Sequence, residues 1–237
     1  MSHIKGHNLQ VYAGMIAALD RSVGKVVQKL KDLDIYGKTL IIFTSDNGGA
    51  NYIELEDINK PFRGWKISFF EGGIRVPFIV SWPDKIDPGM NSDSAVHHFD
   101  IFPTIASAAQ VEPSNERILD GVDLLPHIKK ENSAEPHKTL FWRSGNHQSV
   151  LHEKWKYIIS IKENKRWLFD TSKDPSEKNN VIESHPNEAK KLEELLQKFN
   201  SEQKEPLFPS AFEAPIMIDK YDGQEYEEGD EYIYWSN

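Results

Sequence analysis

The chain has 237 residues, a formal net charge of −9 at pH 7 and no cysteine. This length can bury a sizeable core, while the negative charge argues against a nucleic-acid partner held through its phosphates. The lack of cysteine excludes disulfides, thiolate metal sites and cysteine nucleophiles. No apolar run approaches the ~20 residues of a membrane span, so we expect no membrane partner.

Apolar residues recur at three- and four-residue steps over residues 9–34, from Tyr12 to Leu33. This spacing predicts one amphipathic helix. The apolar run Thr39-Leu40-Ile41-Ile42-Phe43 follows, and it predicts a buried strand over residues 39–44.

The segment Thr44-Ser45-Asp46-Asn47-Gly48-Gly49 comes at the end of that strand. A carboxylate, a carboxamide and a freely turning backbone offer hard oxygen ligands to a divalent cation such as Ca²⁺ or Mg²⁺. Sheets of the α/β class bind ligands at the carboxyl ends of their strands. The same residues are also typical of an ordinary turn, so both interpretations stand at this point.

A second strand is predicted over residues 76–81, where Pro77 favours a strand start or a sheet edge. Residues 99–109 have the pattern of a helix. Helix, strand, loop, strand and helix in this order predict an α/β sheet covered by helices. We assign residues 1–135 to this domain.

Short apolar runs joined by turn residues follow residue 135 and predict antiparallel strands. The runs lie near residues 140–142, 149–151, 155–160 and 167–170, and leucines on one face of 183–199 predict a helix. Residues 136–205 should therefore form a small antiparallel sheet-and-helix subdomain. Pro, Glu, Tyr and Asp dominate residues 206–237, which predicts an irregular acidic tail.

Three segments stand in a fixed order along the chain. They are Tyr12-Ala13-Gly14-Met15-Ile16, Phe43-Thr44-Ser45-Asp46-Asn47-Gly48-Gly49, and Phe62-Arg63-Gly64-Trp65-Lys66 running into Phe70-Glu71-Gly72-Gly73-Ile74-Arg75-Val76-Pro77-Phe78. Together they resemble the sulfatases of the alkaline-phosphatase superfamily, most closely the arylsulfatase B-like branch. The resemblance implies a partial alkaline-phosphatase-like sheet with flanking helices, and the activity of a sulfuric ester hydrolase.

The resemblance also implies roles for single residues. Asp46 and Asn47 match the metal-binding pair of the family, usually for Ca²⁺, with Mg²⁺ as the other candidate. Lys66 matches a lysine that contacts the sulfate group and acts in catalysis. An ammonium can neutralise charge on the sulfate oxygens and on the leaving oxygen as the S–O bond breaks.

Three further residues receive weaker assignments from the same resemblance. His97 aligns with a histidine near the substrate pocket in some relatives, although a helix-capping or surface histidine is an equal alternative. Glu71 and Arg75 are expected to fix the loop that aims Lys66.

Other parts of the family pattern have no match in this chain. Sulfatases attack with a formylglycine made inside a Cys/Ser-x-Pro/Ala-x-Arg motif, which this sequence lacks. The chain therefore resembles a C-terminal portion, with formylglycine expected in an N-terminal half that would be its partner, and we expect it to be inactive alone. The parallel sheet of the family would be incomplete here, leaving an exposed edge or apolar face. Full-length relatives are usually periplasmic, secreted or lysosomal, whereas residues 1–7 lack the apolar core of a signal peptide.

Two other functions remain open from sequence. One is a non-catalytic binding or interaction protein on a sulfatase scaffold. The other is a metal-dependent phosphoesterase of the same superfamily. The Lys66 segment and the Glu-Gly-Gly-Ile-Arg loop favour a sulfate ester over a phosphate ester as the substrate. By family association alone, the ligand would be a sulfated small molecule or carbohydrate.

Overall fold

A computed structural model describes residues 4–114, 116–205, 207–208 and 210–236. The chain divides into two compact units. Unit 1 holds the chain up to Thr44 together with Phe78–Lys138, and unit 2 holds Ser45–Pro77 together with the chain from Thr139 onward. The residues between the first two predicted strands thus group with the C-terminal part of the chain. The domain boundaries expected from sequence stay a prediction.

The described part of the chain contains helices and antiparallel strands. The helices are α1 (His7–Asp32), α2 (Glu71–Ile74), α3 (Ile101–Ala108), α4 (Leu125–Ile128) and α5 (Pro186–Glu202). The strands are β1 (Ile41–Thr44), β2 (Phe78–Ser81), β3 (Thr139–Ser144), β4 (His147–His152), β5 (Trp155–Ser160), β6 (Lys165–Asp170), β7 (Glu213–Met217) and β8 (Tyr232–Ser236). None of the helices within these described ranges has the length and apolar character needed to cross a bilayer.

The first helix and both early strands of unit 1 lie where the sequence predicts them. Helix α1 has the expected amphipathic pattern, yet no residue of it is buried, and Met15 and Val26 are among its exposed apolar side chains. On β2, Ile79 is 57% exposed. The predicted exposed apolar surface is therefore present in this unit.

The pairing of β1 with β2 differs from the parallel sheet that the resemblance implies. The two strands are antiparallel, with Ile41 opposite Ser81 and Thr44 opposite Phe78. The chain leaves β1 and returns to β2 at the same end of the ladder, which only an antiparallel pair permits. Pro77 immediately precedes β2, as expected for a residue without an amide proton.

In unit 2, strands β3 to β6 form a four-stranded antiparallel sheet in sequence order. Side chains alternate between its faces. One face packs on α5 through a core that includes Tyr157, Leu168 and Leu192. The other face carries Ile158 and Trp167 against Phe70 and against residues near the C-terminus. The predicted strands and helix of this region are confirmed.

The C-terminal residues differ from the predicted irregular tail. Strands β7 and β8 pair as an antiparallel ladder, and Ile218 and Ile233 are each 1% exposed within the core that contains Phe70. Apolar residues buried against a sheet stabilise the hairpin, although acidic residues surround them in the sequence.

Candidate functional site

Asp46 and Asn47 lie in the turn that follows β1. The Asp46 carboxylate is exposed and its Oδ1 accepts the Asn47 amide proton at 2.9 Å. Asn47 is partly buried, and its Nδ2 donates to the Gly48 carbonyl at 2.9 Å. Its Oδ1 takes no part in that bond. No Lys, Arg or His within the described ranges forms an ion pair with Asp46. The turn therefore presents two hard oxygen donors without a cationic side chain between them.

Glycines allow this turn to touch the backbone of α2. The Gly48 amide donates to the Gly73 carbonyl at 2.9 Å. A Cβ at Gly48 would stand 1.7 Å from the Gly72 carbonyl oxygen, and a Cβ at Gly72 would stand 2.3 Å from that of Gly64. Only glycine permits these approaches, which explains the Gly-Gly pairs of both motifs.

The segment that carries Lys66 is bonded to the same turn. The Lys66 amide donates to the Gly49 carbonyl at 2.9 Å. The Asn59 side chain accepts the Gly49 amide proton at 2.7 Å and donates to the carbonyls of Gly49, at 2.9 Å, and Gly64, at 3.0 Å. The structure thus brings the backbone of Lys66 beside the residues that follow Asp46 and Asn47.

The Lys66 side chain is partly buried. Among the residues that the structure describes, its ammonium has neither a carboxylate nor a hydrogen-bond acceptor as partner. The chain holds 37 Asp and Glu residues against 28 Lys and Arg, so an unneutralised lysine beside a turn of close backbone contacts is suited to an anionic ligand.

The donors fit a hard divalent cation in kind but not in number. Ca²⁺ takes six to eight oxygens, and a carboxylate with a carboxamide is an appropriate part of that set. Within the described portion of the chain, no group of three or more His, Cys, Asp or Glu residues could hold a metal ion. Asp46 and Asn47 could therefore supply two ligands of a larger set.

A buried ion cluster holds α2. Lys156, on β5, is 0% exposed, and its Nζ lies 2.6 Å from Glu71 Oε1 and 2.9 Å from Glu177 Oε1. The Glu71 amide donates to Glu177 Oε2 at 2.6 Å. Arg75 approaches the other oxygen of Glu71 at 3.3 Å. These contacts agree with the expectation that Glu71 and Arg75 fix the loop, and they add two residues to that task.

The cluster shifts the pKa of each member. Burial alone would lower the pKa of Lys156, but the carboxylates of Glu177 and Glu71 raise it. Burial alone would raise the pKa of Glu71, but Lys156 and then Arg75 lower it. Burial raises the pKa of Glu177, and the charge of Glu71 adds to that rise. The Lys156–Glu71 ion pair is therefore the firmly charged part of the cluster.

His147 lies near this cluster, fully buried at the start of β4. Its ring stacks on Phe69 with 4.8 Å between centroids, and neither ring nitrogen has a hydrogen-bond partner among the described residues. Burial, and then the charge of Lys156, lowers its pKa to about 3. The imidazole is therefore neutral at physiological pH.

Arg63 links the Lys66 segment to the C-terminal hairpin. Its Nε and Nη2 donate to the two carboxylate oxygens of Asp219 at 2.7 and 2.5 Å, and Nη2 also donates to Glu231 at 2.6 Å. Its guanidinium lies over the Phe70 ring, 5.1 Å from the centroid. Burial opposes the charge, but the two carboxylates raise the pKa of Arg63. Bidentate pairing of this kind fixes the orientation of the Arg63 guanidinium as well as contributing electrostatic attraction.

His97 lies in unit 1, at the N-cap of a short 3₁₀ turn before α3. Its Nδ1 accepts the Phe99 amide proton at 3.4 Å, its ring stacks on Phe99, and its own amide donates to Asp100 at 2.7 Å. Burial, and then the neighbouring charge of His98, lowers the pKa of His97. This capping geometry matches the alternative weighed from sequence, while contact of His97 with substrate stays a prediction.

Sequence reasoning missed four residues that hold this region, which are Lys156, Glu177, Asp219 and Glu231. Lys156 interrupts an apolar run of the sequence, which could have indicated a buried ion pair, because a lysine is almost never fully buried unless it is paired. No local pattern in the sequence could predict which residues pair with Lys156, since Glu71 is 85 positions away from it.

Comparison with known families now decides the class of this chain. The profile described as Sulfatase matches residues 2–111, and the profile described as N-sulphoglucosamine sulphohydrolase, C-terminal, matches residues 64–205. The chain belongs to the sulfatase family. The resemblance drawn from the three sequence segments is confirmed, and the turn with Asp46, the Lys66 segment and α2 all lie within matched regions of the chain.

Individual sulfatases are similar over part of their length. The N-acetylgalactosamine-6-sulfatase of Sus scrofa is 39% identical over 137 residues, covering 57% of this chain and 26% of that protein. The steryl-sulfatase of Rattus norvegicus is 32% identical over 180 residues, covering 73% of this chain and 31% of that protein. The chain spans between a quarter and a third of these two curated relatives.

A solved structure supports the fold. The crystal structure of Ps i-CgsB superposes with a TM-score of 0.78 at 30% identity, covering 86% of this chain and 46% of that one. The same protein has been solved in complex with k-i-k-neocarrahexaose. The alkaline-phosphatase-like fold class predicted from sequence is thereby confirmed.

Proposed function

We propose that this chain forms part of the active site of a sulfuric ester hydrolase. Lys66 contacts the sulfate group, and Asp46 and Asn47 contribute two ligands to a divalent cation, Ca²⁺ or Mg²⁺. The observation that carries the proposal is Lys66, a partly buried residue whose ammonium has no acidic partner among the described residues and whose backbone is bonded beside the Asp46–Asn47 turn.

The chemistry follows from charge. Lys66 would bind the sulfate oxygens of the ester and neutralise the charge that develops on the leaving oxygen as the S–O bond breaks. Only the second interaction is stronger in the transition state than in the ground state, so it is the one that accelerates the reaction. A bound cation would supply further positive charge against the sulfate oxygens. The nucleophile comes from a formylglycine outside this sequence, so the chain alone is inactive toward sulfate esters.

A lanthanide titration tests the metal ligands without requiring activity. Tb³⁺ binds the same oxygen donors as Ca²⁺, and excitation of tryptophan reports its binding through sensitised emission. We expect D46N to weaken Tb³⁺ binding by about tenfold or more, because it removes a charged ligand. D57N removes an exposed carboxylate of the same loop and should leave the affinity unchanged. Equal affinities of D46N and the unmodified chain would refute the metal assignment.

Sulfate binding tests Lys66 independently. Titration with sodium sulfate at constant ionic strength, followed by the amide NMR shift of residue 66, should give a saturable curve that K66M abolishes. K60M removes an exposed lysine of the same loop and should leave the curve intact. A K66M curve that matches the unmodified chain would contradict the assignment. Hydrolysis of 4-nitrophenyl sulfate by the chain alone would contradict the placement of the nucleophile elsewhere.

The substrate class we propose is sulfated carbohydrate. The name of the Sus scrofa relative and the oligosaccharide complex of Ps i-CgsB support it, while the steryl-sulfatase relative marks the competing class. Competition for the Lys66 site between N-acetylgalactosamine 6-sulfate and a steryl sulfate would decide between the two. Stronger competition by the steryl ester would overturn the carbohydrate proposal.

A non-catalytic binding protein on the sulfatase scaffold is the second candidate. Unlike the enzyme, this candidate needs no Cys/Ser-x-Pro/Ala-x-Arg motif anywhere in the full protein. Reading the coding DNA upstream of Met1 separates the two functions. An open frame that encodes the motif supports the enzyme, and a stop codon preceded by a separate promoter supports the binding protein.

A further inference from the structure

Helix α2 contacts both candidate segments through its backbone. The Gly72 amide donates to the Arg63 carbonyl at 2.7 Å, on the segment that leads to Lys66. The Gly73 carbonyl accepts the Gly48 amide proton at 2.9 Å, on the turn that follows Asp46 and Asn47. A displacement of α2 would therefore move both sets of candidate ligands.

The position of α2 is set from the C-terminal sheet. Nζ of Lys156 bonds the Glu71 side chain at 2.6 Å, and Oε2 of Glu177 accepts the Glu71 backbone amide proton, also at 2.6 Å. Glu71 is thus held at its carboxylate and at its main chain by two residues that are each 0% exposed. A contact at both ends of one residue fixes its orientation as well as its location.

Apolar side chains in place of Lys156, Glu71 and Glu177 together would satisfy packing at this point without the cost of removing charges from water. Wholly buried ion clusters are seldom required for stability, since apolar replacements of similar volume are often equally stable. The cluster is instead well suited to fixing one arrangement of α2, because ion pairs and charged hydrogen bonds are directional.

We propose that Lys156 and Glu177 are positioning residues of the active site, which hold the α2 turn so that Lys66 and the Asp46–Asn47 pair converge on one sulfate ester. The inference rests on the proposed function, because it assigns those residues their ligands. Neither Lys156 nor Glu177 touches the substrate in this scheme.

Amide hydrogen exchange tests the positioning on the whole chain. The amides of Gly48, Lys66 and Gly72 report the three backbone bonds that α2 and its neighbours make. We expect K156M to accelerate exchange at these amides by about tenfold or more, because a hydrogen bond to a charged group is lost. The amide of Val181, bonded to the Leu168 carbonyl at 2.9 Å in the same unit, reports the loss of overall stability, so acceleration at the three amides counts only where it exceeds that at Val181.

The matched control is K162M, which breaks the exposed Lys162–Glu213 ion pair of the same unit, 2.7 Å long, with the same change of side chain. It should alter none of these exchange rates. If K156M does not fold, E71Q carries the same expectation, because it leaves Lys156 paired with Glu177 and removes the charged link from Lys156 to α2, together with the half-exposed pair between Glu71 and Arg75.

Sulfate affinity supplies the second measurement, read from the Lys66 amide shift. A positioning role predicts weaker sulfate binding in K156M and E71Q but not in K162M. Acceleration that is uniform across unit 2, or absent at the three amides, overturns the inference, as does sulfate affinity that stays unchanged. If the unmodified chain binds no sulfate while exchange still rises locally, the proposed function fails and the anchoring of α2 stands.

Discussion

Protonation of His147 should couple the stability of unit 2 to pH. The folded protein lowers the pKa of this imidazole from 6.5 to about 3, through burial first and then the charge of Lys156. Below pH 6.5 the unfolded chain binds a proton that the folded chain does not. Stability from this group is therefore complete above pH 6.5 and is lost as the pH falls toward 3.

The size of the effect follows from the width of that window. At about 1.4 kcal/mol per pH unit, the free energy of unfolding falls by about 2 kcal/mol by pH 5 and by about 4 kcal/mol by pH 3 from this residue alone. Substitution by phenylalanine keeps a ring that can stack on Phe69 and removes the ionisable group. H147F should therefore lose much less stability than the unmodified chain between about pH 7 and pH 5.

Urea unfolding followed by tryptophan fluorescence measures this difference. Five of the six tryptophans, all except Trp82, lie in unit 2, so the signal reports the correct part of the chain. H185F, which changes an exposed histidine of the same unit, should keep the pH dependence of the unmodified chain. An H147F profile parallel to the unmodified profile between pH 7 and pH 5 would show that the reasoning from burial is wrong.

Two further predictions concern stability. K156M should lower the free energy of unfolding of unit 2, measured in urea, by about 3–5 kcal/mol, because it leaves two buried glutamates without their cation. K162M, at an exposed ion pair, should leave that free energy nearly unchanged. A loss in K156M no larger than that in K162M would refute the buried pairing. G48A should destabilise unit 2 by about 2 kcal/mol or more, because its Cβ would meet the Gly72 carbonyl, whereas G24A should stabilise α1 by up to about 1 kcal/mol because no atom lies within 4 Å of the added Cβ. Equal melting curves for G48A and the unmodified chain would contradict the close approach.

Local sequence patterns predicted most helices and strands correctly. They could not predict how elements that are distant in sequence pair with one another. Three- and four-residue spacing indicated α1, and a short apolar run between turn residues indicated the strand that contains Tyr157 and Ile158. The direction of β2 relative to β1 depends on the path of residues 45–77, which no local pattern records. The β7–β8 hairpin was missed because its two short apolar runs, at 216–218 and 232–235, are separated by the acidic segment 219–231, whose composition dominates this part of the sequence.

The candidate site divides in the same way. Side-chain chemistry after a strand pointed to Asp46 and Asn47, and the resemblance pointed to Lys66. The glycines of both motifs also had a physical reason that the structure makes explicit in the contact of Gly48 with Gly72. The residues that hold this site in place, above all Lys156, do so through contacts between segments that are distant in sequence. Periodicity can predict which face a side chain occupies, but it cannot predict which residue that side chain contacts.

The antiparallel pairing of Thr44 with Phe78 has a consequence for how such proteins diversify. Residues 45–77 depart from and rejoin one ladder at neighbouring points, so they are an insertion into a hairpin that is already closed. Extending a flexible insertion costs only about 0.6 kcal/mol for each doubling of its length. Residues added at an exposed point of this segment, such as Glu56 or Asp57, would therefore leave the two flanking strands in register.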